Sequence, residues 1–153
     1  MNIITSKDNE FVKHVKKLKE KKYRDINQEF IIEGIKLVKE AIEENANIKQ
    51  IVICEDCTKI DVIPKELMYE IAKYECVYVT KKIFDTLTDV VNPQGILAII
   101  EKDINNNEID YKSDIIVALD DIQDPGNLGT ILRTVDSVRI KPNFGVKRHS
   151  RCI

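Results

Sequence analysis

The stretch LDDIQDPGNLGTILRTVDS, Leu119 to Ser137, decides how this chain is read. It lies at the end of an apolar run, Ile115 to Leu119, which has the composition of a buried strand. Pro125-Gly126 then turns the chain. Leu128, Ile131, Leu132 and Val135 recur at helical spacing, with Asn127 placed to cap the helix. Gly129 allows helix and sheet to approach closely. Asn127, Thr130 and Arg133 take the polar positions, with Arg133 read as lying on the same side as Asn127. Open α/β sheets bind ligands where a strand end meets a helix N-terminus, and the N–H groups there favour anions. The stretch carries neither the Walker pattern nor G-x-G-x-x-G, so those two nucleotide loops are excluded.

Upstream, strand and helix patterns alternate. Phe30 to Ile32 is a short apolar run ahead of Glu33-Gly34. Ile35, Leu37, Val38, Ala41 and Ile42 mark a helix, and Ile51 to Ile53 a strand. A helix opening at Pro64 and a strand at Val77 to Val79 repeat the unit. A short helix, a Pro93–Gly95 turn and a strand from Ile96 to Ile100 follow. This alternation predicts an α/β layered domain with a largely parallel sheet. The polar segment 103–113, with three consecutive asparagines, reads as a linker into a second unit. The organisation predicted is a basic N-terminal helix region at 1–26, a domain at 27–102, a linker at 103–113 and a second domain from 114 to 153.

With 153 residues, 43% of them hydrophobic, the chain affords one ordinary domain or a small domain and part of another. No apolar run approaches the roughly 20 residues of a membrane helix. The N-terminus has no basic-then-apolar leader pattern, and a cytoplasmic protein is expected. Cys54 and Cys57 form a lone C-x-x-C with no second pair and no nearby histidine, so Cys54 reads as a strand end and Cys57 as a loop start, with no metal.

The net charge of −2 is unevenly spread. Residues 1–26 hold eight Lys/Arg and four Asp/Glu, an excess of four positive charges. Phe11, Val15 and Leu18 form the apolar stripe of a helix over 8–24, capped by Ser6 or Asp8. Its other face carries Lys13, Lys16, Lys17, Lys19, Lys21, Lys22 and Arg24. Such a face suits a phosphate backbone, and Lys13, Lys16, Lys17, Lys21 and Arg24 are the candidate RNA contacts.

The Leu119–Ser137 stretch closely resembles the first conserved motif of the SpoU/TrmH family of RNA ribose 2′-O-methyltransferases. EFIIEGIKLVKEAI (residues 29–42) and FDTLTDVVNPQGILAII (residues 84–100) are similar to that family's N-terminal RNA-binding domain. The resemblance covers about residues 3–137. It implies an α/β/α sandwich like certain RNA-binding ribosomal proteins, followed by the first strand-turn-helix of an α/β trefoil-knot methyltransferase domain. It implies S-adenosylmethionine as methyl donor, RNA as substrate (ribosomal RNA ahead of transfer RNA) and homodimers among full-length relatives. Asn127 matches the asparagine that shapes the acceptor site. Arg133 matches the arginine that engages the ribose 2′-hydroxyl. Glu33 and Gly34 match the family's structural or RNA-facing "EG".

After Ser137 the sequence departs from the family. Neither of the two later cofactor-binding motifs is recognisable, and Arg139 to Ile153 holds five Lys/Arg, no acid and no helix or strand period. Back-translated with allowed codons and shifted by one nucleotide, KPNFGVKRHSRCI reads NQILVSKGTADV, close to the family's own continuation. The expectation is an out-of-frame tail from about Pro142. The chain by itself is then expected to lack cofactor binding and methyl transfer, and a non-catalytic RNA-binding module is the alternative.

Overall fold

The computed structural model describes residues 3–56, 63–102, 117–137 and 144–146. In chain order these form β1 (Ile3–Ile4), α1 (Glu10–Lys17), α2 (Lys21–Asn27), β2 (Glu29–Glu33), α3 (Ile35–Glu43), β3 (Ile48–Cys54), α4 (Lys65–Ile71), β4 (Cys76–Val79), α5 (Lys81–Leu87), β5 (Ile96–Glu101), β6 (Val117–Leu119), α6 (Pro125–Ser137) and β7 (Phe144–Val146). They fall into two units, Met1–Asp103 and Ile104–Ile153. No helix among the described residues is long and apolar enough to cross a membrane.

The first unit is a mixed α/β fold around a five-stranded sheet of order β1-β4-β3-β5-β2. The expected largely parallel sheet is corrected. β1 and β3 run parallel to β4, but β5 runs antiparallel to both β3 and β2. The reason lies in a short helix and its return. The N–H of Cys54 donates to Gly95 O (2.8 Å) and that of Glu55 to Val79 O (2.9 Å). β4 therefore ends where β5 begins, at one end of the sheet, because residues 88–95 carry the chain back past seven-residue α5. A strand starting there must run the other way.

β3 and β5 are buried on both faces, and their alternation divides the core in two. Val52, Cys54, Leu97 and Ile99 meet Val12, Val15 and Leu18 of the α1 segment and Ile83, Phe84 and Leu87 of α5. Ile51, Ile53, Ile96, Ala98 and Ile100 meet Val38 of α3 and Leu67 and Ile71 of α4. Each Val, Leu, Ile or Phe among them contributes about 1.5–3 kcal/mol by leaving water. Cys54 closes β3 as expected from its position, but its sulfur is part of a disulfide. Cys57 and Cys152 lie outside the described residues, as do the linker at 103–113, Ile115, Ile116 and the tail apart from 144–146.

The basic segment is two helices rather than one. Asn9, not Ser6 or Asp8, caps α1, its Oδ1 accepting from the N–H of Phe11 at 2.9 Å. α1 stops at Leu18, and the Arg24 guanidinium turns inward to donate to Leu18 O (3.2 Å) and Lys19 O (2.6 Å). Carbonyls left open by the helix end are satisfied there, which holds the corner. β1 was not legible, because two residues give no period.

Glu29 ties these layers together. Its buried carboxylate at the start of β2 meets His14 Nε2 of α1 at 2.6 Å and the Lys49 ammonium of β3. Burial alone would push this carboxyl up. The hydrogen bonds from Lys49 and His14 together outweigh burial and hold it below the usual range, while Glu29 raises Lys49.

In the second unit, β6 pairs in parallel with β7, Val117 opposite Phe144 and Leu119 opposite Val146. A strand thus lies in a tail whose pattern shows none, since three residues are too few for a period to register.

Glu29→Gln keeps the size of the side chain and removes its charge. We expect a loss of about 1–3 kcal/mol at pH 7, because the Lys49 ammonium and the His14 ring both lose a charged acceptor. A group held below its ordinary value stabilises above that value and ceases to do so as the carboxylate protonates. Urea midpoints of wild type and variant should therefore converge below about pH 4. A gap that persists in acid would show that shape, not charge, matters at Glu29.

Candidate RNA interface and acceptor site

Two sets of site residues were expected, and each lies within one unit. In the first unit the candidate lysines stand on α1, α2 and the corner between them. Lys13 is taken up by Glu10 at 2.9 Å, which lies one turn earlier and raises its pKa through that hydrogen bond. Lys19 bonds Asp89 Oδ1 (2.8 Å) and Thr88 O (3.1 Å). Among the described residues no carboxylate lies within ion-pair distance of Lys16, Lys17, Lys21 or Lys22. Asp25 pairs with Lys102 at 2.9 Å. Glu10 and Asp25 are thus engaged, and with eight Lys/Arg against four Asp/Glu over residues 1–26 the segment keeps a surplus of positive charge. Arg24 is placed differently, its guanidinium bound to backbone carbonyls of the corner. Periodicity did not flag Tyr23, whose ring has the Lys17 and Lys22 ammonium groups each 5.6 Å from its centroid.

Glu33 and Gly34 form a second corner, where β2 ends and α3 begins. Glu33 Oε1 accepts from Thr88 Oγ1 at 2.6 Å. Gly34 has φ +102° and ψ 153°, a conformation open essentially to glycine alone. Its N–H donates to Ile96 O at 3.0 Å. Gln94 Oε1 accepts from the N–H of Ile35 at 2.9 Å, and a Cβ on Gly34 would lie 3.1 Å from that oxygen. The geometry therefore makes Gly34 a lock between β2, α3 and the 93–95 turn, and Gln94, its partner, carried no signal in one sequence.

In the second unit α6 begins at Pro125, so its cap is Asp124 and not Asn127. Asp124 Oδ1 accepts from the N–H of Asn127 (2.8 Å) and Asp124 O from that of Leu128 (3.1 Å). Pro125 sits at the first helical position, where its missing N–H costs nothing. Asn127 and Arg133 are both exposed, but six residues at about 100° each put them about 120° apart around the helix rather than on one side. Arg133 shares a face with Thr130, whose hydroxyl accepts from Arg133 Nη2 at 3.3 Å and donates to Gly126 O at 2.9 Å. Gly129 lies beside this face, and a Cβ there would sit 3.5 Å from Arg133 Nη1, an ordinary contact.

Nucleophilic chemistry has little support elsewhere. Burial pushes the Cys76 thiol up, and its Sγ faces the carbonyls of Ile71 and Tyr74 at 3.5 Å. Such a thiol is seldom a thiolate at neutral pH.

The family described as MRM3-like substrate binding domain matches residues 9–98. The chain is 35% identical over 137 residues to the 23S rRNA (guanosine(2553)-2′-O)-methyltransferase RlmP of Bacillus subtilis, a match covering 90% of this chain and 51% of that protein. It is 30% identical over 122 residues to the mitochondrial rRNA methyltransferase 3 of Xenopus tropicalis, covering 75% of this chain and 28% of that one. Among solved structures, the AdoMet-bound rRNA methyltransferase of Sinorhizobium meliloti superimposes with a TM-score of 0.75 at 30% identity, over 99% of this chain and 57% of that one. The chain thus spans about half the length of RlmP.

Two series of substitutions test the Gly34 corner and the α6 cap. Gly34→Ala should cost about 1–3 kcal/mol through its backbone conformation, and adding Gln94→Ala should recover little of it. Gly126→Ala should destabilise α6 although alanine is the better helix former, because its Cβ would lie 2.9 Å from Asp124 Oδ1 and displace the cap. Asp124→Ala should lose about 1 kcal/mol and Asp124→Asn much less. Circular dichroism melts read both series. A stabilised Gly126→Ala would refute the cap assignment.

Proposed function

The chain belongs to the SpoU family of RNA 2′-O-methyltransferases, and we propose that it serves methylation of a ribose 2′-hydroxyl in RNA, ribosomal RNA ahead of transfer RNA. The observation that carries this reading is the coincidence of the substrate-binding match, residues 9–98, with the unit whose α1–α2 corner holds unpaired lysines. In this reading residues 27–102 form the RNA-holding α/β/α sandwich, with the basic region 1–26 as its added grip. Residues 103–113 link it to a knotted methyltransferase domain, represented here by 114–153, through which relatives pair as homodimers. The setting is the cytoplasm.

Lys16, Lys17 and Lys21 supply the phosphate contacts. Lys13 contributes less because Glu10 holds it, and Arg24 acts through the shape of the corner. Glu33 and Gly34 act in the same indirect way. Asn127 and Arg133 serve the acceptor side. An arginine stays protonated, so it does not act as the literal base. Its guanidinium orients the 2′-oxygen and stabilises the negative charge that grows on it, and the proton leaves to phosphate or water. Thr130 steadies the guanidinium.

The family's methyl donor is S-adenosylmethionine, which supplies an electrophilic methyl group when bound. The described residues of the second unit do not fit it. The N–H groups of Asn127 and Leu128 are already taken by Asp124, and the hydroxyls of Thr130, Thr134 and Ser137 bond within α6. The second reading is an RNA-binding module without catalysis.

Filter binding and labelled methyl transfer separate the readings. Changing Lys16, Lys17 and Lys21 together to Gln should lower the salt slope of RNA binding by about three, one for each phosphate left without its cation. An unchanged slope would return these lysines to a merely solvated face. If the chain transfers methyl groups, Arg133→Lys should cut transfer at least about tenfold, since a point charge replaces the planar fork. Full transfer by Arg133→Lys would remove Arg133 from the acceptor site. RNA binding without transfer would establish the second reading.

A further inference from the structure

The α1–α2 corner holds an aromatic ring that the fold does not use. Tyr74 and Tyr78 pack against the core formed with α3 and α4. Tyr23 belongs to neither core cluster, and α2, on which it lies, has no buried residue. The residue is partly exposed. Its described ring contacts are the Lys17 and Lys22 ammonium groups, each 5.6 Å from the centroid.

This arrangement exists only because the helix breaks. Residues 17 and 22 of one continuous helix would lie about 140° apart and could not meet at a single ring. The break after Lys17 folds α2 back, and the bonds from Arg24 to Leu18 O and Lys19 O fix the fold. The result is an aromatic surface on a rigid corner, flanked by two cations that no carboxylate claims among the described residues.

Building on the RNA reading above, we propose that Tyr23 is a stacking platform for one unpaired nucleobase, with Lys17 and Lys22 taking the phosphates on either side. Base faces are available in loops, bulges and single strands, whereas a duplex keeps them stacked internally. Aromatic rings beside basic side chains bind such strands with little regard to sequence. When a base takes the ring face, the two ammonium groups exchange a weak ring contact for phosphate oxygens. The substrate class is therefore RNA with an unpaired nucleotide next to a structured segment.

The chain contains no tryptophan, so Tyr23→Trp installs a sole tryptophan at the site, read by exciting at the red edge where tyrosine does not absorb. The full chain is titrated with a single-stranded oligonucleotide and with a blunt duplex of equal length. Emission should be quenched by the single strand and much less by the duplex. Tyr23→Ala should weaken single-strand binding roughly 5- to 100-fold, the range of one stacked base, with an unchanged salt slope. Tyr23→Phe should bind as the wild type does, since the hydroxyl takes no part. Changing Lys17 and Lys22 to Gln should lower the slope by about two. Wild-type RNA binding with an unquenched Tyr23→Trp, or with full affinity in Tyr23→Ala, overturns the platform alone. Absence of RNA binding by the wild type overturns the RNA reading and the platform with it.

Discussion

The first unit rests on one constraint: β3 and β5 must be covered on both faces. Their alternating side chains point into two separate cores, so neither strand has a face to give to water. α1 and α5 meet the demand on one side, α3 and α4 on the other. The return through residues 88–95 follows from the same demand. It places β5 beside β3, where an Ile/Leu/Ala-rich strand can be fully buried, and leaves the shorter β1 and the less buried β2 at the edges. Glu29 is the polar counterpart of that packing. A buried carboxylate is tolerable there because α1 brings it the His14 imidazole and β3 the Lys49 ammonium group.

Much of this was legible in the sequence because the longer elements carry strong periods. The strands around Phe30, Ile51, Val77 and Ile96 and the helices between them occupy the positions their patterns imply. Strand direction was not legible. Periodicity reports which residues are buried, not which end of the sheet a chain re-enters, and the short α5 with the return behind it was read as an ordinary crossover. The double helix at the N-terminus was missed for a related reason. The break depends on Arg24 reaching back to two carbonyls, an interaction between residues that no local pattern connects.

At the site, residue types were easier to read than roles. The lysine excess over 1–26 stands out in the charge count, but which lysines are already paired depends on neighbours such as Glu10 and Asp89. Asn127 was taken for a cap because it precedes the apolar stripe, whereas Asp124-Pro125 is the more usual helix opening, with an acceptor followed by a proline that has no N–H to satisfy. Tyr23 gave no signal because an aromatic residue outside an apolar stripe has no period to join.

β5 ends at Glu101, and the chain then leaves the first unit through Lys102. The N–H of Lys102 donates to Gln28 O at 2.7 Å, and its ammonium group pairs with Asp25 at 2.9 Å. Both partners belong to α2 and its C-terminal cap, where Gln28 stands in the left-handed conformation. The exit is therefore moored to the helix that carries Lys21, Lys22 and Tyr23. Mechanically, a pull along the chain from residue 103 onward bears on α2 before it reaches the interior of the sheet. The lysine-bearing corner is thereby one of the places in the first unit that tension in the polypeptide beyond it would reach first.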